Sequence, residues 1–294
     1  MADKVTGVLS LLKGLAKQTP TSKSTELTIP KKSDLGALRG SSNLTEDITK
    51  LPSFKEAIRG FKKSLIIYNS FHKVPTRTMA TNKPKLVIFD WDGTLSDSVA
   101  RIAQCIQLAA QDHGLQEPSY AEVAEIVGLG LGEAILRLFP GATDQQSRQV
   151  QTSYSNHYRS QDQIPCPFFP TVTETLWELH RSGYLLAVAT GKSRAGLNRV
   201  LEKLEIQSLF HGSRCADETL SKPHPLMLEQ LLQEFAVTAD EAVMVGDTEF
   251  DMEMAANAGM PRIAVSYGAH HVDRLRQYTP LACLDLFADI KDVI

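Results

Sequence analysis

No stretch of the chain approaches the roughly eighteen uninterrupted apolar residues that a membrane-spanning helix needs. The N-terminus also lacks the apolar segment and small-residue cleavage site of a secretory leader. Cysteine is scarce. Cys105, Cys166, Cys215 and Cys283 stand far apart with no CxxC spacing, which excludes a disulfide framework or a clustered zinc site and fits a reducing compartment. No nucleic-acid reading module or aromatic stacking platform is recognisable. These absences describe a chain with no transmembrane segment and no nucleic-acid partner, expected in the cytoplasm. What is present agrees: 43% of the 294 residues are hydrophobic and 22% charged, the usual balance of a chain that buries a core.

Charge is unevenly spread. Residues 1–78 hold fourteen Lys and Arg against six Asp and Glu, whereas residues 79–294 hold seventeen against twenty-eight. The first piece is also rich in Ser and Thr, and only "VTGVLSLLKGLAKQ" and "FKEAIRGFKKSLIIY" have amphipathic character. Such a composition buries too little apolar surface to offset the entropy of ordering, so residues 1–80 are expected to form a basic, mostly disordered extension. Its composition admits an organellar transit peptide, a basic helix resting on an anionic surface, or a stretch upstream of Met79 with no bearing on catalysis. No residue spacing within it suggests a chemical site.

From Lys85 onward the pattern changes. Short apolar runs recur at "KLVIFD", "YLLAVAT", "EAVMVGD" and "RIAVSYG", separated by amphipathic segments such as "TVTETLWELHRSG" and "HPLMLEQLLQEFA". Strands apolar on both faces and alternating with helices predict a doubly wound, parallel α/β sheet. Asp90, Thr190 and Asp247 end three of these runs, and in such sheets ligands bind beyond the carboxyl ends of the strands. About seventy residues with helical periodicity at "RIAQCIQLAAQ" and "GEAILRLF" separate the first run from the second. They predict a helical insertion above that edge. The segment "GLGLGE" lies between helical stretches rather than after a strand, so it reads as hinge or turn material and not as a dinucleotide phosphate loop.

The first run ends in "FDWDGTLSDS". Asp90 and Asp92 are two residues apart and leave the strand end on the same side, where they repel unless a cation is bound. A hard cation with oxygen ligands, Mg²⁺, fits the pair and leaves room for a substrate phosphate. Gly93 permits a tight turn and Thr94 places a hydroxyl beside it. In "VMVGDTEFDMEMAANAGM" the theme repeats, with Asp251 four residues past Asp247 on one helix face. The candidate positive partners are the metal for Asp247 and Lys222, in "SKPHP", for Asp251.

Taken together, "FDWDGTLSDS", Thr190 in "VATGKS", Lys222 in "SKPHP" and "GDTEFD" resemble the four motifs of the haloacid dehalogenase superfamily, in its phosphoglycolate phosphatase-like branch, over residues 85–270. The resemblance implies a Rossmann-like core at residues 81–98 and 168–294 with an α-helical cap at 99–167. It also implies a Mg²⁺-dependent phosphatase acting on a small phosphorylated metabolite. Asp90 would be the nucleophile and Asp92 the acid and base. Thr190 and Lys222 would complete the catalytic set, Asp90, the Asp92 backbone carbonyl and Asp247 would ligate the metal, and Asp251 would support them. Gly93, Thr94, Gly191 and Lys192 would contact the substrate.

The same residues separate this chain from relatives. A dehalogenase proper lacks the second acid that Asp92 supplies, and the absence of lysine between Lys85 and Lys192 excludes the Schiff-base chemistry of phosphonatases. It also weighs against a phosphohexomutase, which remains the alternative among enzymes. A catalytically idle binding protein would have no reason to keep a self-repelling acid cluster. Of the cap arginines Arg101, Arg137, Arg148 and Arg159, Arg137 is expected to point inward at the substrate. One departure from the family pattern is Thr171, which follows Pro170 where a glycine is usual.

Overall fold

The chain divides into two units, residues 1–75 and 76–294. The computed structural model describes residues 83–161 and 164–294, so the basic extension expected at residues 1–80 lies outside the described residues. No helix among them is long and apolar enough to cross a membrane.

Six strands form one sheet: β1 (Leu86–Phe89), β2 (Leu185–Thr190), β3 (Gly212–Cys215), β4 (Ala242–Gly246), β5 (Arg262–Val265) and β6 (Cys283–Leu284). The spatial order is β3-β2-β1-β4-β5-β6, with every neighbouring pair parallel. The chain therefore winds outward from β1 in one direction and, after β4, in the other. Ligand crevices form at such a reversal, here between the ends of β1 and β4, where Asp90 and Asp247 emerge.

The continuous apolar runs have a direct cause: alternate residues of each strand enter different cores. Val87, Phe89, Leu186, Val188, Val243 and Val245 pack against Val172 and Leu176 of α5 (Val172–Arg181), Leu197 of α6 (Arg194–Lys203) and Phe287. Leu86, Ile88, Ala187 and Met244 face the other way, onto Met227 and Leu231 of α7 (Leu226–Phe235) and Met254 of α8 (Glu249–Asn257). Two strands had no such run. β3 (GSRC) and β6 (CL) are the sheet's edges and need a core residue on one face only.

The insertion contributes four helices, α1 (Val99–Asp112), α2 (Tyr120–Ala124), α3 (Leu131–Leu138) and α4 (Asp144–Ser160). They have a core of their own, built from Ile102, Ile106, Ala109, Val123, Ile135 and Val150. Capping boxes start α2 (Ser119 with Glu122) and α4 (Thr143 with Gln146). The outgoing and returning connections run side by side: Asp97 N–H donates to Pro167 O at 2.9 Å and Phe169 N–H to Leu95 O at 3.0 Å. Thr171, at the end of the return, takes a left-handed backbone with φ of 68°. Glycine adopts that conformation without strain, whereas Thr171 accepts a hydrogen bond from Ala288 N–H at 3.1 Å there.

Candidate active site

Asp90, Asp92, Lys222, Asp247 and Asp251 are all buried at the carboxyl edge of the sheet. The loop after β3 brings Lys222 beneath them. Its Nζ lies 2.6 Å from Asp90 Oδ1 and 2.6 Å from Asp251 Oδ1. Asp251 is fixed on its other side, where Oδ2 accepts from Thr248 N–H at 3.1 Å and from the Thr248 hydroxyl at 2.7 Å. Asp247, at the start of the loop after β4, accepts from the Thr94 hydroxyl at 2.6 Å and from Ala269 N–H at 2.7 Å. The short side-chain-free backbone around it is required. A Cβ at Gly93 or Gly268 would come within 2.2 Å of the Asp247 side chain, and one at Gly246 within 2.3 Å of Asp251.

Burial, the largest effect, holds Asp90 well above the ordinary carboxylate range; Lys222 opposes this, while Asp251 and Asp247 add to it. Asp247 is pushed up to about 7, by burial first and by the Asp251 charge second. For Lys222, burial works against the ammonium, but Asp251 and Asp90 outweigh it and hold the group protonated. Three acids share one cation here. The cluster has room for a second positive charge, and the donor set says of what kind: oxygens of Asp90, Asp247 and Asp251 lie within 4.8 Å of one another. Asp90 Oδ2 is buried with no hydrogen-bond partner. An unpartnered carboxylate oxygen beside a second buried acid fits a hard divalent cation.

Asp92 faces the other way, into a cavity of about 190 Å³ between core and cap. Its Oδ1 accepts from the Ser98 hydroxyl at 2.6 Å and pairs with Lys192 Nζ at 2.8 Å. Lys192 in turn lies over the Tyr158 ring, 4.9 Å from its centroid, so a core cation joins the acid to a cap aromatic. Thr190 is fully buried at the end of β2, and its hydroxyl accepts from Lys192 N–H at 3.2 Å. Gly191 and Lys192 both line the cavity.

Three of the expected substrate contacts are placed otherwise. Gly93 N–H donates to Ser96 O at 2.9 Å and the residue, with φ of +86°, serves to clear space for Asp247. The Thr94 hydroxyl is committed to Asp247. Arg137 points away from the cavity: it pairs with Glu133 at 2.6 Å, one helical turn earlier, and rests over the Phe250 ring. The i, i+4 acid and the Phe250 ring of α8 satisfy its charge away from the cavity, which spacing alone did not reveal.

Other cavity residues had no distinguishing sequence signal. Tyr154 and Tyr158 of α4 and Arg101 of α1 line it, and in a mostly polar helix the two tyrosines read as ordinary surface. The "GLGLGE" stretch also belongs to the site. A Cβ at Gly191 would meet Leu129 O at 2.4 Å, and Gly130 N–H donates to the Ser221 hydroxyl, next to Lys222, at 2.9 Å. Its glycines let the cap backbone approach the loops that carry Gly191 and Lys222 closely.

Residues 87–265 match the sequence model of the family described as "Haloacid dehalogenase-like hydrolase". The chain is 30% identical over 224 residues to a phosphoglycolate phosphatase of Vibrio vulnificus (strain CMCP6), a match covering 74% of this chain and 98% of that protein. It is likewise 30% identical over 213 residues to a phosphoglycolate phosphatase of Yersinia pestis, covering 71% and 92%. The crystal structure of a predicted phosphoglycolate phosphatase from Haemophilus somnus 129pt superposes with a TM-score of 0.66 at 27% identity, covering 73% of this chain and 99% of that one. The order of the strands, the acid cluster at their carboxyl edge and these matches agree, and the chain belongs to the haloacid dehalogenase-like hydrolase family as an enzyme of its phosphatase type.

Proposed function

We propose that this enzyme is a Mg²⁺-dependent phosphatase that hydrolyses a small phosphomonoester of the phosphoglycolate kind through an aspartyl-phosphate on Asp90. The observation that carries the reading is Asp90 Oδ2: a buried, unpartnered carboxylate oxygen whose twin is held by Lys222. The similarity to phosphoglycolate phosphatases supports the substrate class.

Asp90 attacks the phosphorus, and the ester P–O bond breaks as protonated Asp92 gives its proton to the departing oxygen. Asp92, now a carboxylate stabilised by Ser98 and Lys192, takes a proton from water. That water attacks the phosphorus, the bond to Asp90 breaks, and inorganic phosphate leaves. Lys222 and the Thr190 hydroxyl orient and neutralise the phosphoryl group, so most of the acceleration comes from positioning and electrostatics. Mg²⁺, held by Asp90, Asp247 and the Asp92 backbone carbonyl, supplies further charge neutralisation when bound. Asp251 acts by fixing Lys222.

The test is phosphate release from 2-phosphoglycolate and p-nitrophenyl phosphate, with Mg²⁺ or with EDTA, by the full chain and by Asp90→Asn. Mg²⁺-dependent turnover that falls at least about a thousandfold in the variant is expected. Turnover that survives in Asp90→Asn or resists EDTA overturns the reading. A folded wild type that hydrolyses neither compound turns attention to phosphohexomutase chemistry.

A further inference from the structure

The cavity is positively biased beyond what the reacting phosphate needs. Arg101, Arg159 and Lys192 line it together with the partnered Arg199 and Lys203, whereas Asp92 is the only acid among its described lining residues and is already matched by Lys192. Among these cations Arg101 is placed differently from the rest. It lies on α1 three residues past Ser98, so about one helical turn separates it from the hydroxyl that holds Asp92. It is half-buried and close enough to the Tyr158 phenol and the Cys166 thiol to act on both electrostatically. No hydrogen bond or ion pair joins it to another described residue.

A guanidinium turned into a cavity gives up hydration and gains nothing unless an anion meets it. The other cap arginines are differently placed: Arg137 has Glu133, Arg148 lines an outer groove beside Asp112, and Arg159 is at the exposed rim. Ile102, Ile106 and Leu129 also line the cavity, so part of its wall is aliphatic. We propose that Arg101 is the specificity-determining residue of this cavity and reads a carboxylate at the non-reacting end of the substrate. The enzyme then selects a short phosphomonoester bearing a carboxylate over an uncharged one of similar length. The planar fork of arginine matches a carboxylate through two parallel hydrogen bonds, which a lysine cannot reproduce. This inference rests on the phosphatase reading above and adds the residue that sets selectivity.

Binding tests it without turnover. Affinities for 2-phosphoglycolate and for ethyl phosphate are measured calorimetrically, with Mg²⁺ present, on full-chain Asp90→Asn and on the same protein carrying Arg101→Met or Arg101→Lys. The parent is expected to favour 2-phosphoglycolate by about tenfold or more. Arg101→Met brings the ratio close to one through loss on the 2-phosphoglycolate side, and Arg101→Lys restores part of it. Equal affinities in the parent, binding of neither compound, or a loss in Arg101→Met that falls on both alike overturns the proposal. If the ratio depends on Arg101 but wild type shows no Asp90-dependent hydrolysis, the phosphatase reading fails and the carboxylate subsite stands. Hydrolysis with no Arg101-dependent ratio has the reverse meaning.

Discussion

Gly93 is packed directly against the carboxylate of Asp247. A Cβ at position 93 would lie 2.2 Å from Asp247 Oδ2, and the backbone there has a φ of +86°. Gly93→Ala therefore displaces an acid proposed to hold Mg²⁺ and also strains the turn, at a cost of about 1–2 kcal/mol for the left-handed conformation. Mg²⁺ titration of activity is expected to show affinity weakened roughly 10–100-fold. Unchanged Mg²⁺ affinity in a folded variant would show that Asp247 tolerates displacement.

Lys222 neutralises two buried acids that do not touch each other's other partners. Lys222→Met leaves both charges uncompensated, and denaturant unfolding is expected to register a loss of about 3–5 kcal/mol. Adding Asp251→Asn removes one of the stranded charges and recovers part of that loss. Strict additivity of the two substitutions would mean that the ion pair carries no coupling energy.

Asp247 links stability to pH with a definite sign. Its folded value, raised from an ordinary 3.8 to about 7, means that the metal-free native state binds more protons than the unfolded chain between those two limits. The associated stability is complete below about pH 4 and lost as pH rises through about 7, a change on the order of 4 kcal/mol. Asp90, also raised, acts in the same direction. Mg²⁺ competes with these protons, so its stabilising effect grows with pH. Melting curves with Mg²⁺ and with EDTA are expected to diverge more at pH 8 than at pH 5; a larger Mg²⁺ effect at pH 5 contradicts this.

Ala236 ends α7 in a left-handed conformation, with φ of 51° and ψ of 43°, and is exposed. Glycine is the residue that this cap position favours. Ala236→Gly is expected to raise stability by roughly 0.5–1 kcal/mol, read as a shift in the unfolding midpoint without change in turnover. A lower midpoint would mean that unfolded-chain entropy exceeds the relief of strain.

Much of the fold was legible because its buried strands are apolar on both faces, so "KLVIFD", "YLLAVAT", "EAVMVGD" and "RIAVSYG" announce themselves one by one. The edge strands β3 and β6 did not, because a strand covered on one side and two or four residues long leaves no pattern. The acids were legible for a related reason. Carboxylates at the ends of hydrophobic runs are too costly to bury without a shared purpose, and Asp90, Asp92, Asp247 and Asp251 stand there in fixed spacing.

What each polar group does was decided only in three dimensions. Lys222 meets Asp90 across 132 residues and Thr94 meets Asp247 across 153, and no local spacing encodes such a distance. Arg137 and Arg101 are both arginines on amphipathic cap helices, equivalent in sequence; one finds Glu133 a turn away and the other opens onto the cavity. Sequence by itself determined which chemical groups this protein carries to one sheet edge, since strand ends and helix periods are local properties of the chain. Which of those groups face the cavity, the cation or each other depended on how the cap and the loops close over that edge, and only the tertiary structure decided it.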